Sequence, residues 1–180
     1  TTGDAVDLKA DVLVTVNDGT TTAAQLNTIN GMTTALVTAT AVSTVSGAVS
    51  DLTTLAGVEG DSGNAVDLAA GVAITVTDTG SVAATDIATI NGLTTGLVTA
   101  TNIGTVTGTS SALNTLAGNE GTTGDAVDLK ADVLVTVSDG TTTAAELNTI
   151  NGMTTALVTA TAVSTAVSYT HLTLPTRCLG

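Results

Sequence analysis

The sequence predicts a parallel β-solenoid with about 30 residues in each coil and short helical turns between its strands. First, a long unit repeats: the string GDAVDL at Gly3 returns as GNAVDL at Gly63 and again as GDAVDL at Gly124. Second, segments of alternating Val, Ile and Thr recur at about half that spacing. Third, the chain is 43% hydrophobic but only 1% aromatic, which favours a narrow interior of small, uniform side chains.

The first strand of each coil is predicted from the period-2 alternation of these residues, which is typical of a half-buried strand. The predicted segments are Val12–Asp18, Ala41–Gly47, Val72–Asp78, Asn102–Gly108 and Val133–Asp139. Their alignment gives one surface column of evenly spaced threonines, one in each coil: Thr15, Thr44, Thr75, Thr105 and Thr136. The residues expected to point inward are Val14, Val16, Val45, Ile74, Val76, Val106 and Val137.

A turn and a short helix are expected after each of these strands. The turn residues Asn17, Asp18 and Gly19 tolerate positive φ. In the helical candidates, Leu or Ile residues at i and i+3 share one helix face. These candidates are Ala23–Ile29, Val49–Leu55 and Ser111–Leu116. Glycine, which is favoured at a helix C-terminus, stands at Gly31, Gly57, Gly92, Gly118 and Gly152.

A second strand is predicted after the helix, at Ala35–Thr40 in one coil and at Ala65–Ala70 in the next. A unit this small cannot bury its apolar face alone, so stacked neighbours must supply the core. Equivalent strands would then pair in parallel, about 4.8 Å apart. Because neither end shows a recognisable capping segment, we expect both ends of the array to be cut. An α/β solenoid that resembles leucine-rich repeats is the alternative fold.

Two regions follow from the pattern. Residues 1–165 form the tandem-repeat array, with repeats starting near 3, 63 and 124 and two coils in each, and residues 166–180 form a tail. The only Tyr, His, Pro, Arg and Cys of the chain lie within Tyr169–Gly180. The string SYTHLTLPT resembles translated sequencing-adapter read-through of the kind seen on metagenomic open reading frames. We therefore expect the tail to have a different origin from the array.

The charge of the chain restricts its partners. Its 16 acidic and 3 basic residues give a formal net charge of −13, which repels nucleic acid and anionic membrane surfaces. No apolar run approaches the roughly 18 residues of a membrane span, so membrane insertion is not expected. A single cysteine excludes an internal disulfide framework.

Catalysis is not expected from this array. Outside the tail it contains no His, Cys, Tyr or Arg, and its acidic residues occupy repeated positions. Repeated acids are more simply explained as turn-forming or solvated residues than as a catalytic pair. No catalytic residue and no cofactor are therefore assigned.

Acidic loops are the best candidates for an ion site, and calcium is the ion they suggest, because it prefers hard oxygen ligands. The candidate ligands are Glu59, Asp61 and Asp67 around one connection, and Glu120, Asp125 and Asp128 around its equivalent. Neither the EF-hand pattern nor the GGxGxD nonapeptide is present. Charged loops that keep the array soluble are therefore the favoured interpretation.

The threonine column offers a third possibility. Regular Thr-x-Thr ladders resemble those of ice-binding proteins, which would imply a strand face that binds ice or carbohydrate. Thr is also a common exposed strand residue, so the column has a purely structural explanation as well.

Two motifs, VTVxDGTxTAAxLNTING and TTxLVTATxVxTVxG, together cover nearly all of residues 1–165. They resemble the tandem arrays, rich in Thr, Ala, Val and Asp, of very large bacterial surface proteins and adhesins. This resemblance implies secretion or display on the cell surface as a spacer or an adhesive stalk. Its partners would be carbohydrate, other surface proteins or neighbouring repeats of the same chain. We therefore expect a non-catalytic structural or adhesive segment of a large extracellular or cell-surface protein.

Overall fold

A computed structural model describes residues 8–168, which form an α/β fold of parallel strands and five helices. The helices are α1 (Ala23–Asn30), α2 (Val49–Ala56), α3 (Ala84–Asn91), α4 (Ser110–Asn119) and α5 (Ala144–Gly152). The strands are β1 (Val14–Thr15), β2 (Thr20–Thr22), β3 (Val37–Ala39), β4 (Thr44–Gly47), β5 (Val66–Leu68), β6 (Ala73–Val76), β7 (Ser81–Ala83), β8 (Val98–Ala100), β9 (Thr105–Gly108), β10 (Val127–Leu129), β11 (Leu134–Val137), β12 (Thr141–Thr143), β13 (Val158–Thr159) and β14 (Thr165–Val167).

The helices form where the sequence predicts them, but they are longer than the expected single turns. They have 8 to 10 residues each. A capping box begins α1: the Thr22 hydroxyl accepts from the Gln25 N–H, and the Gln25 side chain accepts from the Thr22 N–H. In α1, Leu26 faces the core and is fully buried. Consecutive helices pack against one another from α1 to α5.

The glycines at the helix C-termini do not adopt the left-handed conformation that usually explains glycine there. Gly31, Gly57 and Gly92 cap their helices at φ −68°, −75° and −65°, and Gly118 and Gly152 lie within α4 and α5. The Gly31 N–H still donates to the Asn27 carbonyl, so the right-handed backbone continues through the cap. Within residues 8–168, positive φ occurs only at Gly63 and Gly124, in the loops after α2 and α4.

The strands of the described range form four separate parallel sheets, with orders β1-β3-β5, β10-β8-β6-β4-β2, β13-β11-β9-β7 and β12-β14. The predicted pairing of the second strands is confirmed, because Val37 lies opposite Val66 and Ala39 opposite Leu68. The step between paired strands is uneven, however. Thr44 pairs with Thr20 on one side and with Ala73 on the other, so one step is shorter than the next.

The single column of five threonines is corrected by these registers. Opposite Thr15 lies Thr38; opposite Thr44 lie Thr20 and Ala73; opposite Thr75 lie Ser46 and Thr99; opposite Thr105 lie Ser81 and Leu134; opposite Thr136 lie Thr107 and Thr159. The threonines do not form one column because of the short strands β2, β7 and β12, which were not predicted from the sequence. Each lies directly before a helix, and β7 and β12 each begin a new sheet, so the columns shift by one strand in every long repeat.

The core is one continuous cluster that runs between the sheets and the helices. Six of the seven side chains predicted to point inward are buried, with exposures of 8% or less: Val16, Val45, Ile74, Val76, Val106 and Val137. Val14, in the first described coil, is half-buried. At the other end, Ala166 and Val167 of β14 pair with β12, so strand pairing extends into the beginning of the predicted tail. From Tyr169 onward the tail lies outside the described residues.

Candidate functional site

The acidic residues proposed as calcium ligands divide between loop and strand. Glu59 and Asp61 are exposed in the loop after α2, where Glu59 forms a parallel bridge with Val66. Asp67 lies instead in β5, opposite Thr38. The same division occurs in the equivalent connection: Glu120 bridges to Val127, Asp125 is exposed in the loop, and Asp128 lies in β10 opposite Thr99.

The loop backbone is closed by its own hydrogen bonds. The Gly60 N–H donates to the Val66 carbonyl at 3.1 Å, and the Val66 N–H donates to the Val58 carbonyl at 2.9 Å. Across residues 8–168, no three acidic, histidine or cysteine side chains come together as a metal site would require. The connection is thus held by backbone contacts.

A hydroxyl ladder crosses the five-stranded sheet on the face opposite the core. It consists of Thr22, Ser46, Thr75 and Thr99, which lie directly opposite one another on successive strands, and the carboxylate of Asp128 follows on the next strand. All five side chains are partly exposed, whereas the neighbouring column of Val45, Ile74, Val98 and Val127 is fully buried. A shorter ladder, Thr107, Thr136 and Thr159, crosses the next sheet. Neighbouring hydroxyls in such a ladder are about 4.8 Å apart.

A carboxylate joins the second and the third long repeat to the helix that precedes each of them. The N–H of Val49, at the start of α2, donates to Oδ2 of Asp78 at 2.7 Å. In the next repeat, the Ser110 N–H at the start of α4 donates to Oδ2 of Asp139 at 2.9 Å, and the Ser110 hydroxyl donates to the same oxygen at 2.7 Å. The residue before α2 is Ala48, which provides no side-chain cap, so Asp78 supplies the acceptor from the following coil.

Threonine hydroxyls make a second set of contacts between residues that are distant in the sequence. Thr94 is 6% exposed, and its hydroxyl donates to the Val72 carbonyl at 2.5 Å and accepts from the Gly96 N–H at 2.8 Å. Thr33 and Thr154 make the equivalent bonds to the carbonyls of Val12 and Val133, both at 2.6 Å. Each hydroxyl satisfies backbone groups at a turn that the sheets leave unpaired.

Glu146 is the carboxylate whose titration is most clearly altered by its surroundings. The backbone N–H of Thr143 donates to Oε2 at 2.8 Å, and the hydroxyls of Thr143 and Thr142 donate at 2.9 and 3.0 Å. These bonds, with the backbone bond contributing most, hold the pKa of Glu146 below its usual value. The group closes the capping box of α5, where it has the role that Gln25 has in α1.

A groove of about 340 Å³ lies at the N-terminal end of the described fold. It is lined by Val16, Asp18, Thr21, Ala24, Gln25, Thr28 and Ile29. Asp18 is the one titratable side chain among these lining residues, so the described part of the groove offers no acid–base pair. We call it the end groove.

Among residues 8–168, none of the helices combines the length and apolarity that crossing a membrane requires. The described surface presents hydroxyls and carboxylates, two Lys–Asp ion pairs, and a few exposed large apolar side chains, namely Leu8, Leu13, Met32, Leu134 and Leu157. Comparison of this chain with family models, with curated proteins and with solved structures returned no match.

Proposed function

We propose that this chain is a non-catalytic structural or adhesive repeat segment of a large secreted or cell-surface protein, folded as an α/β solenoid. The observation that carries the proposal is the repeated joint between coils. Asp78 caps α2 and Asp139 caps α4, so the same contact occurs again one long repeat later. A module whose joints are identical extends by addition of further modules, which is what a spacer or stalk needs.

The chemistry of the surface is consistent with this role. The formal charge of −13 keeps copies of the chain apart in solution, while the small side chains of the core allow close stacking of coils. The hydrogen bonds of Thr33, Thr94 and Thr154 lie between coils, where they hold the stack together. In such a segment, function depends on length and surface, and no single side chain is indispensable.

Small-angle scattering from chains of different repeat number tests the spacer. A second copy of residues 63–123 inserted after residue 123 should lengthen the particle by two coils, about 10 Å along the stacking direction. A third copy should add the same increment. A particle that grows in all directions, or that aggregates, would contradict a linear spacer.

The hydroxyl ladder favours a second candidate function, a strand face that binds ice or carbohydrate. Its support is the unbroken run of Thr22, Ser46, Thr75 and Thr99 on four adjacent strands. Thr75→Val and Thr99→Val remove two hydroxyls from the ladder but keep the shape of the side chains. Ice-growth inhibition or glycan binding by the parent chain, lost in this pair of variants at unchanged stability, would support the binding face. No activity in either assay would leave the spacer as the function.

A further inference from the structure

The end groove lies on the side of α1 that has no neighbouring helix within residues 8–168. In the rest of the described fold, the corresponding sides of α3 and α5 are covered by α2 and α4, which pack directly on them. The groove is lined on that side by Ala24, Thr28 and Ile29. Among the described residues it therefore presents one half of a coil-to-coil interface.

Burial of equivalent residues measures what a preceding coil would cover. Ile29 is half-buried, whereas its equivalents Ile90 and Ile150 are fully buried. Val14 is half-buried, and its equivalent Val135 is fully buried. The apolar surface of the first described coil thus matches surface that is enclosed wherever a preceding coil is present.

Asp18 is the charged residue of the end groove. It occupies the position of Asp78 and Asp139, but it is exposed, while those two carboxylates are half-buried against the helix starts that they cap. The end groove therefore combines an apolar floor with a carboxylate placed to accept from the first N–H groups of a helix.

We propose that the end groove is the docking seat for a segment with the sequence of residues 105–121. This segment contains β9 and α4, and in the chain it leads directly into residues 122–137, whose sequence is identical to residues 1–16. Its Ser110 donates two hydrogen bonds to Asp139, where Val49 donates one to Asp78. A copy of this segment therefore matches both the carboxylate of Asp18 and the sequence that follows.

The inference deepens the proposed function, on which it rests for the principle that coils add end to end. It goes further in assigning a direction and a partner to that growth. The seat accepts a helix of the α4 type, whose first N–H groups meet Asp18.

A double-mutant cycle tests it in the full chain. One protein carries a copy of residues 105–121 ahead of Thr1, and a second carries that same segment with its residues in scrambled order. The authentic extension should raise the unfolding midpoint by several degrees over the scrambled one, and it should slow amide exchange in α1. Asp18→Ala should remove a large part of that gain in the extended chain and should leave the parent chain unchanged.

An equal loss from Asp18→Ala in both chains, or an authentic extension no better than the scrambled one, would overturn the inference. A concentration-dependent dimer of the parent chain that protects α1 would overturn it too, because the seat would then receive a second copy. The chain with a second copy of residues 63–123 inserted after residue 123 distinguishes failure of the docking seat from failure of the proposed spacer. If that copy stabilises the chain and the N-terminal extension does not, the array stands and only the docking seat is wrong.

Discussion

Oδ2 of Asp78 accepts a hydrogen bond of 2.7 Å from the N–H of Val49, a residue one coil earlier in the chain. The bond gives α2 the N-terminal cap that Ala48 does not provide. It ties the stability of a helix to the coil that follows it. In the proposed array, this contact and its counterpart at Asp139 would give cooperativity a specific physical origin.

Asp78→Ala should lower the free energy of unfolding by about 1 kcal/mol, the usual value of a helix cap. Asp78→Asn keeps an acceptor oxygen and should lose less. Urea titration followed by circular dichroism measures both. The control is Asp61→Ala, since Asp61 is exposed in a loop. Equal losses at positions 61 and 78 would mean that general charge, and not the cap, sets the effect.

Thr94→Val should lower the free energy of unfolding by about 1–3 kcal/mol, because it leaves the Val72 carbonyl and the Gly96 N–H without their partner in a buried turn. The two side chains have nearly the same shape, so packing is preserved. Thr101 is exposed in a turn, and Thr101→Val is the matched control. If both variants unfolded with the same free energy as the parent, the hydrogen bonds of Thr94 would not contribute to stability.

Gly104 is explained by an inserted residue, Thr79, in the preceding coil. A Cβ at Gly104 would lie 2.8 Å from the carbonyl oxygen of Thr79, whereas the equivalent positions hold Ser43 and Ser164. Gly104→Ser should therefore destabilise the chain by about 1–3 kcal/mol through overpacking. In a chain that lacks Thr79 the same change should cost much less. If Gly104→Ser costs the same with and without Thr79, the insertion does not explain the glycine.

Glu146 should make stability depend on pH in a defined direction. Its pKa is lowered in the folded chain, so its contribution is present above the pKa of the unfolded state and is lost as pH falls through the folded value. Glu146→Gln, which reproduces the uncharged capping box of Gln25, should flatten this part of the profile. Thermal melts of the two proteins between neutral pH and about pH 3 make the comparison. Parallel profiles would contradict the assigned role of Thr143 and Thr142.

Periodicity predicted the longer strands, the helices and the buried face, because these depend on alternation along the chain, but it missed β2, β7 and β12. It could not predict the pairing register. Sequence similarity relates Thr15 to Thr75, which occupy equivalent positions in successive long repeats, whereas hydrogen bonding relates Thr15 to Thr38 in the adjacent coil. The strand Thr20–Thr22 is too short to show alternation, so the shift of columns that it produces was not visible.

The contacts between coils were also hidden from the sequence. Asp78 and Val49 are a full coil apart, and an aspartate in a glycine-containing turn is most simply explained as a turn residue. One signal was available in the sequence. Asp78 follows Val49 by 29 residues, and Asp139 follows Ser110 by 29 residues, where Val49 and Ser110 begin α2 and α4. Of the hydroxyl ladder, only Thr75 belonged to the predicted threonine column, since the composition of the ladder depends on register.

Melting with and without a chelator, in the parent chain and in the chain that carries a second copy of residues 63–123, tests the central claim most directly. A ligand-free array whose coils stabilise one another should unfold at a higher midpoint when the copy is added. A chelator should leave both midpoints unchanged, and Asp67→Asn should have little effect. A midpoint that stays constant on adding the copy, or that falls by several degrees on chelation, would contradict the account and would make the acidic connections around Glu59 and Glu120 metal sites.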